Sequence, residues 1–286
     1  MKKLALTGAK GMLGSDLLKR LEKSYTCFPV DIEELDITDK GKVMSWLRKI
    51  EPEILVNAAA YTDVDGCETH QDLAMQVNGE GVGSLAEGCS RLKVMMVHIS
   101  TDFIFDGCKA GSYTEEDTPK PLSVYGVSKL LGEQRLMENL ERFLIVRTSW
   151  LYGLGGRNFV EAILRKAEDE KHLRVVDDQR GSPTYVPDLS RALIRLLLSD
   201  ASGIAHVSNS GSCSWFEFAQ TILALSGKDK VTVDPIPSSE LDRPAQRPAN
   251  SVLSCERYVK MTGNTMRHWK EGLKAYLQSR EERYND

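Results

Sequence analysis

Tyr125 and Lys129 stand four residues apart in the segment Y-G-V-S-K, a spacing that puts both on one face of a helix, one turn from each other. A phenol ordinarily loses its proton near a pH of about 10, and an ammonium one turn away favours the phenolate and draws that value down. The same lysine can donate to the ribose hydroxyls of a bound cofactor. Upstream, S-T-D closes an apolar run at residues 94–99 that reads as a buried strand. Thr101 is then at the strand's carboxyl end, the edge at which open α/β sheets bind ligands. A hydroxyl, a tuned phenol and a lysine can together polarise a carbonyl and protonate its oxygen. Such a reduction needs a hydride carrier.

The first residues offer a site for one. Residues 3–7 read as a short strand running into G-A-K-G-M-L-G, with Met12, Leu13, Leu17, Leu18 and Leu21 recurring at helical spacing. Gly8 permits the sharp turn off the strand, Gly11 lets a pyrophosphate approach the helix N-terminus, and Gly14 lets helix and sheet pack closely. Residues 26–30 read as a second strand ending in Asp31. That carboxylate falls about 20 residues past the glycines, where an acid bonds the adenosine ribose and repels a 2′-phosphate, favouring NADH over NADPH. After a third strand at 53–56, the small residues of N-A-A-A-Y-T let a flat cofactor reach the backbone.

Helix and strand patterns alternate onward: a helix at 41–50, a long helix at 73–92, the strand at 94–99, the tyrosine helix at 123–138 and a strand at 143–146. This alternation predicts a Rossmann-type, doubly wound parallel α/β sheet, with residues 1–150 as a dinucleotide-binding domain. His98 reads as a packed strand residue. Beyond residue 150 the pattern loosens into a smaller C-terminal substrate-binding lobe over residues 151–286, with part of 170–207 returning to the first domain. Helices are expected at 158–166, 187–198 and 215–225, strands at 173–176 and 205–207, and a proline-rich loop at 233–251.

Composition narrows the class. The 286 residues include 27% charged and 41% hydrophobic side chains at a net charge of −4, which suits a globular protein and argues against a nucleic-acid binder. No apolar run is long enough for a membrane span, and the N-terminus lacks a signal-peptide pattern. The six cysteines are scattered without a C-x-x-C pair, so reduced thiols, a cytoplasmic location and no metal are expected.

G-x-x-G-x-x-G, the strand-end S-T-D and Y-x-x-x-K together resemble the extended short-chain dehydrogenase/reductase superfamily. N-A-A-A-Y-T-D-V-D, S-T-D-F-I-F-D-G, R-T-S-W-L-Y-G and R-P-A-N-S-V-L narrow the resemblance to its reductases of dTDP-linked 4-keto-6-deoxyhexoses. The resemblance covers nearly the whole chain. It implies a catalytic triad of Thr101, Tyr125 and Lys129 and cofactor contacts at Gly8, Gly11, Met12, Leu13, Asp36, Ile37, Ala58, Ala59 and Tyr61. It also implies sugar-nucleotide contacts at Trp150, Asn158, Arg247 and Asn250, with Arg247 expected on the diphosphate. Phe103 stands where the family often carries tyrosine, so a hydroxyl that could touch substrate is missing and a related keto-sugar stays open. A non-catalytic regulatory subunit of the methionine adenosyltransferase type, and a homodimer, also stay open.

Overall fold

The computed structural model describes residues 1–285. From the N-terminus run β1 (Lys2–Thr7), α1 (Met12–Leu21), β2 (Tyr25–Val30), α2 (Lys40–Ile50) and β3 (Ile54–Asn57). A helical stretch follows: α3 (Val64–Thr69), α4 (Gln71–Ala74), a π turn (Met75–Glu80) and α5 (Gly81–Leu92). Then come β4 (Met95–Thr101), α6 (Val124–Asn139) and β5 (Phe143–Thr148). Next are β6 (Leu151–Tyr152), α7 (Phe159–Asp169), β7 (His172–Val176), β8 (Arg180–Gly181), β9 (Thr184–Tyr185), α8 (Val186–Leu198) and β10 (Gly203–His206). The chain ends with β11 (Cys213–Ser214), α9 (Trp215–Leu225), β12 (Thr232–Ile236), α10 (Glu256–Thr262) and α11 (Trp269–Asn285).

Six parallel strands form the central sheet in the order β10-β5-β4-β3-β1-β2. Both faces are covered, as a parallel sheet requires. Because successive side chains point to opposite faces, Leu4, Leu6 and Val56 pack with Leu17, Leu189 and Leu193 of α1 and α8. Ala5, Leu55 and Met96 pack with Val43, Leu47 and Leu85 of α2 and α5. The strand order turns at β1, which lies between β2 and β3. A crevice therefore opens at the carboxyl ends of these strands, where Thr7, Asn57 and Thr101 stand.

The expected long helix at 73–92 is broken. The π turn interrupts it and buries Asn78, whose amide accepts from Tyr61 N (2.8 Å) and donates to Tyr61 O (2.9 Å) and to the Ser128 hydroxyl (3.0 Å). The wider turn thus joins the loop after β3 to α6, the kind of local use to which π turns are put. The expected loop at 233–251 also begins differently: residues 232–236 form β12, which pairs in parallel with β7. Pro235 is tolerated there because each strand of a two-stranded ribbon has a side with no ladder partner. A second core, around Tyr152, Tyr185, Phe218, Leu273 and Tyr276, supports the C-terminal lobe.

A buried ion pair fixes α6 to the sheet. Glu133 and Arg147 of β5 are both nearly inaccessible, with Arg147 Nη2 at 2.7 Å from Glu133 Oε2 and Nε at 3.0 Å from Oε1. Removing one partner of such a pair strands the other charge without water. Arg147→Met should lower the unfolding free energy by roughly 3–5 kcal/mol in urea melts; a loss below about 1 kcal/mol would show the pair to be dispensable.

Candidate active site

Tyr125 is the second residue of α6. The helix begins there because the Ser123 hydroxyl accepts from Gly126 N (3.2 Å) and Glu68 Oε1 from Val124 N (2.9 Å), which satisfies donors left free in the first turn. Gly126 lies so close to the backbone after β4 that a Cβ would stand 2.2 Å from Phe103 O. That contact sets the tyrosine beside Thr101. The Thr101 hydroxyl is the neighbour that favours loss of the Tyr125 phenol proton, and the Phe103 ring meets the tyrosine edge-on at 5.7 Å between ring centroids. Thr101 Oγ1 in turn donates to Asp102 Oδ1 (3.1 Å) and accepts from Phe103 N (3.2 Å).

The electrostatics differ from the expectation that Lys129 lowers the phenol. Burial pushes Tyr125 well up, the Asp102 charge adds to this, and only the Thr101 hydrogen bond pulls the other way. Lys129, one turn on and 2% exposed, is turned into the sheet: Nζ donates to Ile99 O at 2.7 Å and lies 3.4 Å from His98 Nε2. Burial draws Lys129 down to about 8 against the opposing pull of Glu133. Asp102 is likewise buried and pushed up to about 6, with the Ser251 and Thr101 hydroxyls opposing the desolvation.

The glycine turn lies on the same edge. Gly8 has φ +69, and a Cβ there would stand 2.6 Å from the backbone of Ala58 and Ala59. A Cβ on Gly14 would stand 2.1 Å from Gly8 O. The first turn of α1 holds no acid, and its N-cap, Gly11, provides no side-chain cap, so its N–H groups and dipole suit a pyrophosphate. Met12 and Leu13 begin that helix. Ala58, Ala59 and Tyr61 form the facing wall, held by Asn57 and Asn78: Ala59 N donates to Asn57 Oδ1 at 3.1 Å. These features fit a dinucleotide cofactor.

Asp31 is placed at the end of β2, but its oxygens are engaged. Oδ2 accepts from Lys10 N (2.7 Å) and Oδ1 from Ile32 N (2.9 Å). The exposed Lys10 ammonium extends beside it to Glu33 (2.9 Å) and Glu34 (2.8 Å). Asp31 thus braces the glycine loop, and a cation stands where its repulsion of a phosphate was expected to act alone. Asp36 bonds Thr38 within a turn, through both N (2.9 Å) and Oγ1 (2.8 Å). Ile37 is 4% exposed, in the core under α5.

The expected substrate residues divide. Thr101 and Phe103 adjoin the phenol. Trp150 follows β5 at φ 47, stacks on Trp215 at 3.4 Å between ring centroids and packs against Gly181. Asn158 caps α7: Oδ1 accepts from Glu161 N (3.1 Å) and Nδ2 donates to Gly153 O (2.9 Å). Arg247, expected on a diphosphate, donates to Asp65 Oδ2 of α3 (2.8 Å) and to Ala245 O (2.8 Å). Asn250 donates to Lys109 O (2.7 Å) and Gly111 O (2.9 Å) and accepts from Val252 N (3.2 Å). These three side chains join loops to their supports. Sequence reasoning missed Asp102, Asn78 and Glu133; only Glu133, four residues past Lys129, carried a periodic signal.

A family model described as "RmlD substrate binding domain" matches residues 1–282. The spore coat polysaccharide biosynthesis protein SpsK of Bacillus subtilis is 43% identical, over 98% of each chain. The dTDP-4-dehydrorhamnose reductase of Streptomyces griseus is 40% identical over 94% of this chain and 90% of its own. The crystal structure of dTDP-4-dehydrorhamnose reductase from Bacillus anthracis in complex with NADP superposes with a TM-score of 0.94 at 38% identity, covering 97% of this chain and 99% of the other.

Asp102 offers a test by pH. Its folded-state value of about 6 exceeds the usual unfolded value of about 3.9, so its contribution to stability is fully present below about pH 4 and lost as pH rises to about 6. Asp102→Asn removes that dependence. The variant should gain up to roughly 2–3 kcal/mol relative to wild type between pH 4 and 7, read as a growing difference in melting temperature. A difference that stays flat with pH would place Asp102 at an ordinary carboxylate value.

Proposed function

The chain belongs to the RmlD substrate binding domain family, and from that membership we propose that it reduces the 4-keto group of dTDP-4-dehydro-L-rhamnose to dTDP-L-rhamnose with NADH or NADPH. It is an NAD(P)H-dependent oxidoreductase of dTDP-sugar synthesis. The observation that carries the reading is the cluster of Thr101, Tyr125 and Lys129 on the sheet edge that also bears the glycine turn. When bound, the nicotinamide supplies the hydride to C4. Tyr125 gives its phenolic proton to the sugar oxygen. A phenol held high by burial stays protonated at neutral pH, and it still transfers downhill to an alkoxide, a far stronger base. Thr101 orients the phenol, and its single hydroxyl proton, which rests on Asp102 Oδ1, turns to the keto oxygen when the sugar is bound. Phe103 adds an apolar edge beside the reacting carbon.

The test is turnover. Incubation with NADH and dTDP-4-dehydro-L-rhamnose should consume nicotinamide absorbance and yield dTDP-L-rhamnose. Tyr125→Phe should fold normally and lose at least roughly a hundredfold in kcat. Binding of both ligands without turnover would support the regulatory role instead.

Cofactor choice follows from the Asp31 corner. Lys10 can exchange its exposed contacts with Glu33 and Glu34 for a 2′-phosphate, which offsets the repulsion from Asp31 and admits both cofactors. Lys10→Ala should raise the KM for NADPH roughly three- to tenfold and leave that for NADH near wild type. Equal changes for the two would assign the ammonium to the loop's shape.

A further inference from the structure

His98 lies inside β4 with no accessible surface, and its two ring nitrogens face two other buried side chains. On one side is Asn57, whose orientation the backbone settles. Its Oδ1 accepts from Ala59 N–H (3.1 Å) and the Thr7 hydroxyl (2.7 Å). Its Nδ2, a donor only, is therefore the atom 3.0 Å from His98 Nδ1. Nδ1 must accept, and a neutral imidazole that accepts at Nδ1 carries its proton at Nε2. Nε2 stands 3.4 Å from Lys129 Nζ. An ammonium can present only N–H bonds, and an N–H set against an N–H repels. An amine has a lone pair to present. Thr7, Asn57, His98 and Lys129 are mutually satisfied only when Lys129 is uncharged.

We propose that His98 is a positioning residue that holds Lys129 at the edge of deprotonation, by directing Nε2–H at the lysine nitrogen. When Lys129 releases a proton, the Nζ–H bond breaks and its electron pair stays on nitrogen as the lone pair that receives Nε2–H. That proton reaches the Tyr125 phenolate left by the reduction through water, since Nζ itself faces Ile99 O and His98, and re-forms its O–H bond. Other groups around the lysine do not reverse this. Glu133, one turn further along α6, pulls Lys129 upward but is engaged with Arg147 of β5 and Ser100 of β4. Asp102, after β4, acts on the Tyr125 phenol, as does Cys67 of α3. Burial, helped by the Lys129 charge, keeps His98 neutral across the physiological range, so the ring does not simply become doubly protonated.

The inference rests on the reductase reading for its kinetic part alone, and its first test is independent of activity. Nitrogen-15 spectra of the wild-type protein should show His98 as the neutral Nε2–H tautomer between pH 6 and 8. An Nδ1–H tautomer, or an imidazolium, would overturn the proposal. The second test is His98→Gln, which offers Lys129 a carbonyl oxygen in place of an N–H. The alkaline limb of its kcat/KM profile for keto-sugar reduction should move up by roughly one pH unit. A profile unmoved while the melting temperature falls would reduce His98 to a packing residue. Absence of turnover in wild type with the expected tautomer would sink the reductase reading and leave the buried network standing.

Discussion

The α6 helix, which carries Tyr125 and Lys129, is held at one angle and one height by the carboxylate of Glu133. Tyr125, Lys129 and Glu133 follow each other at four-residue intervals, so they share one stripe of α6. Glu133 accepts from Ser100 of β4 at 2.5 Å and from Arg147 of β5, and Arg147 lies 3.4 Å from His206 of β10. Three neighbouring strands are thereby referred to one carboxyl group. Slippage of one residue would turn the stripe by about 100° and leave charges in an interior where no water replaces the lost contacts. Ser100 precedes Thr101 directly, so the same carboxylate also sets the end of β4 against the helix.

The C-terminal half works by similar means on the other wall. Asp65 of α3 accepts from both Ala245 N (3.2 Å) and Arg247 (2.8 Å), and Asn250 binds the loop at residues 109–111. The C-terminal part of the proline-bearing segment, residues 245–250, is therefore strapped at several points. Stiffness from proline and these bonds fixes the wall before any ligand arrives, which saves the ordering cost a slack loop would incur on binding.

The central sheet was legible in the sequence because parallel strands buried on both faces leave continuous apolar runs, and those at residues 3–7, 53–56 and 94–99 match β1, β3 and β4 within two residues. The placement of Thr101 at a strand end and of Tyr125 and Lys129 on one helix was legible, because Tyr125 and Lys129 are local in sequence and an apolar run leads into Thr101. The intramolecular partners of Asn158, Arg247 and Asn250 were not. A motif shows that a polar residue has a partner without showing whether that partner is a ligand or a distant backbone group. The π turn was equally hidden, because it arises from Asn78 reaching Tyr61 and Ser128, and no local propensity marks it. The lowering of Tyr125 by Lys129 rested on spacing alone, and spacing did not reveal that Nζ turns toward Ile99 O.

The clasp between Asp65 and Arg247 joins residues 182 positions apart, which has a bearing on biosynthesis. A chain made from its N-terminus can pair β1 to β5 while the remainder is still being translated, since domains fold progressively during synthesis. The wall facing the tyrosine cannot close until Arg247 has left the ribosome. Nascent or prematurely terminated chains would thus carry a formed dinucleotide fold with an open sugar side, able to hold cofactor yet unable to confine a keto-sugar beside it.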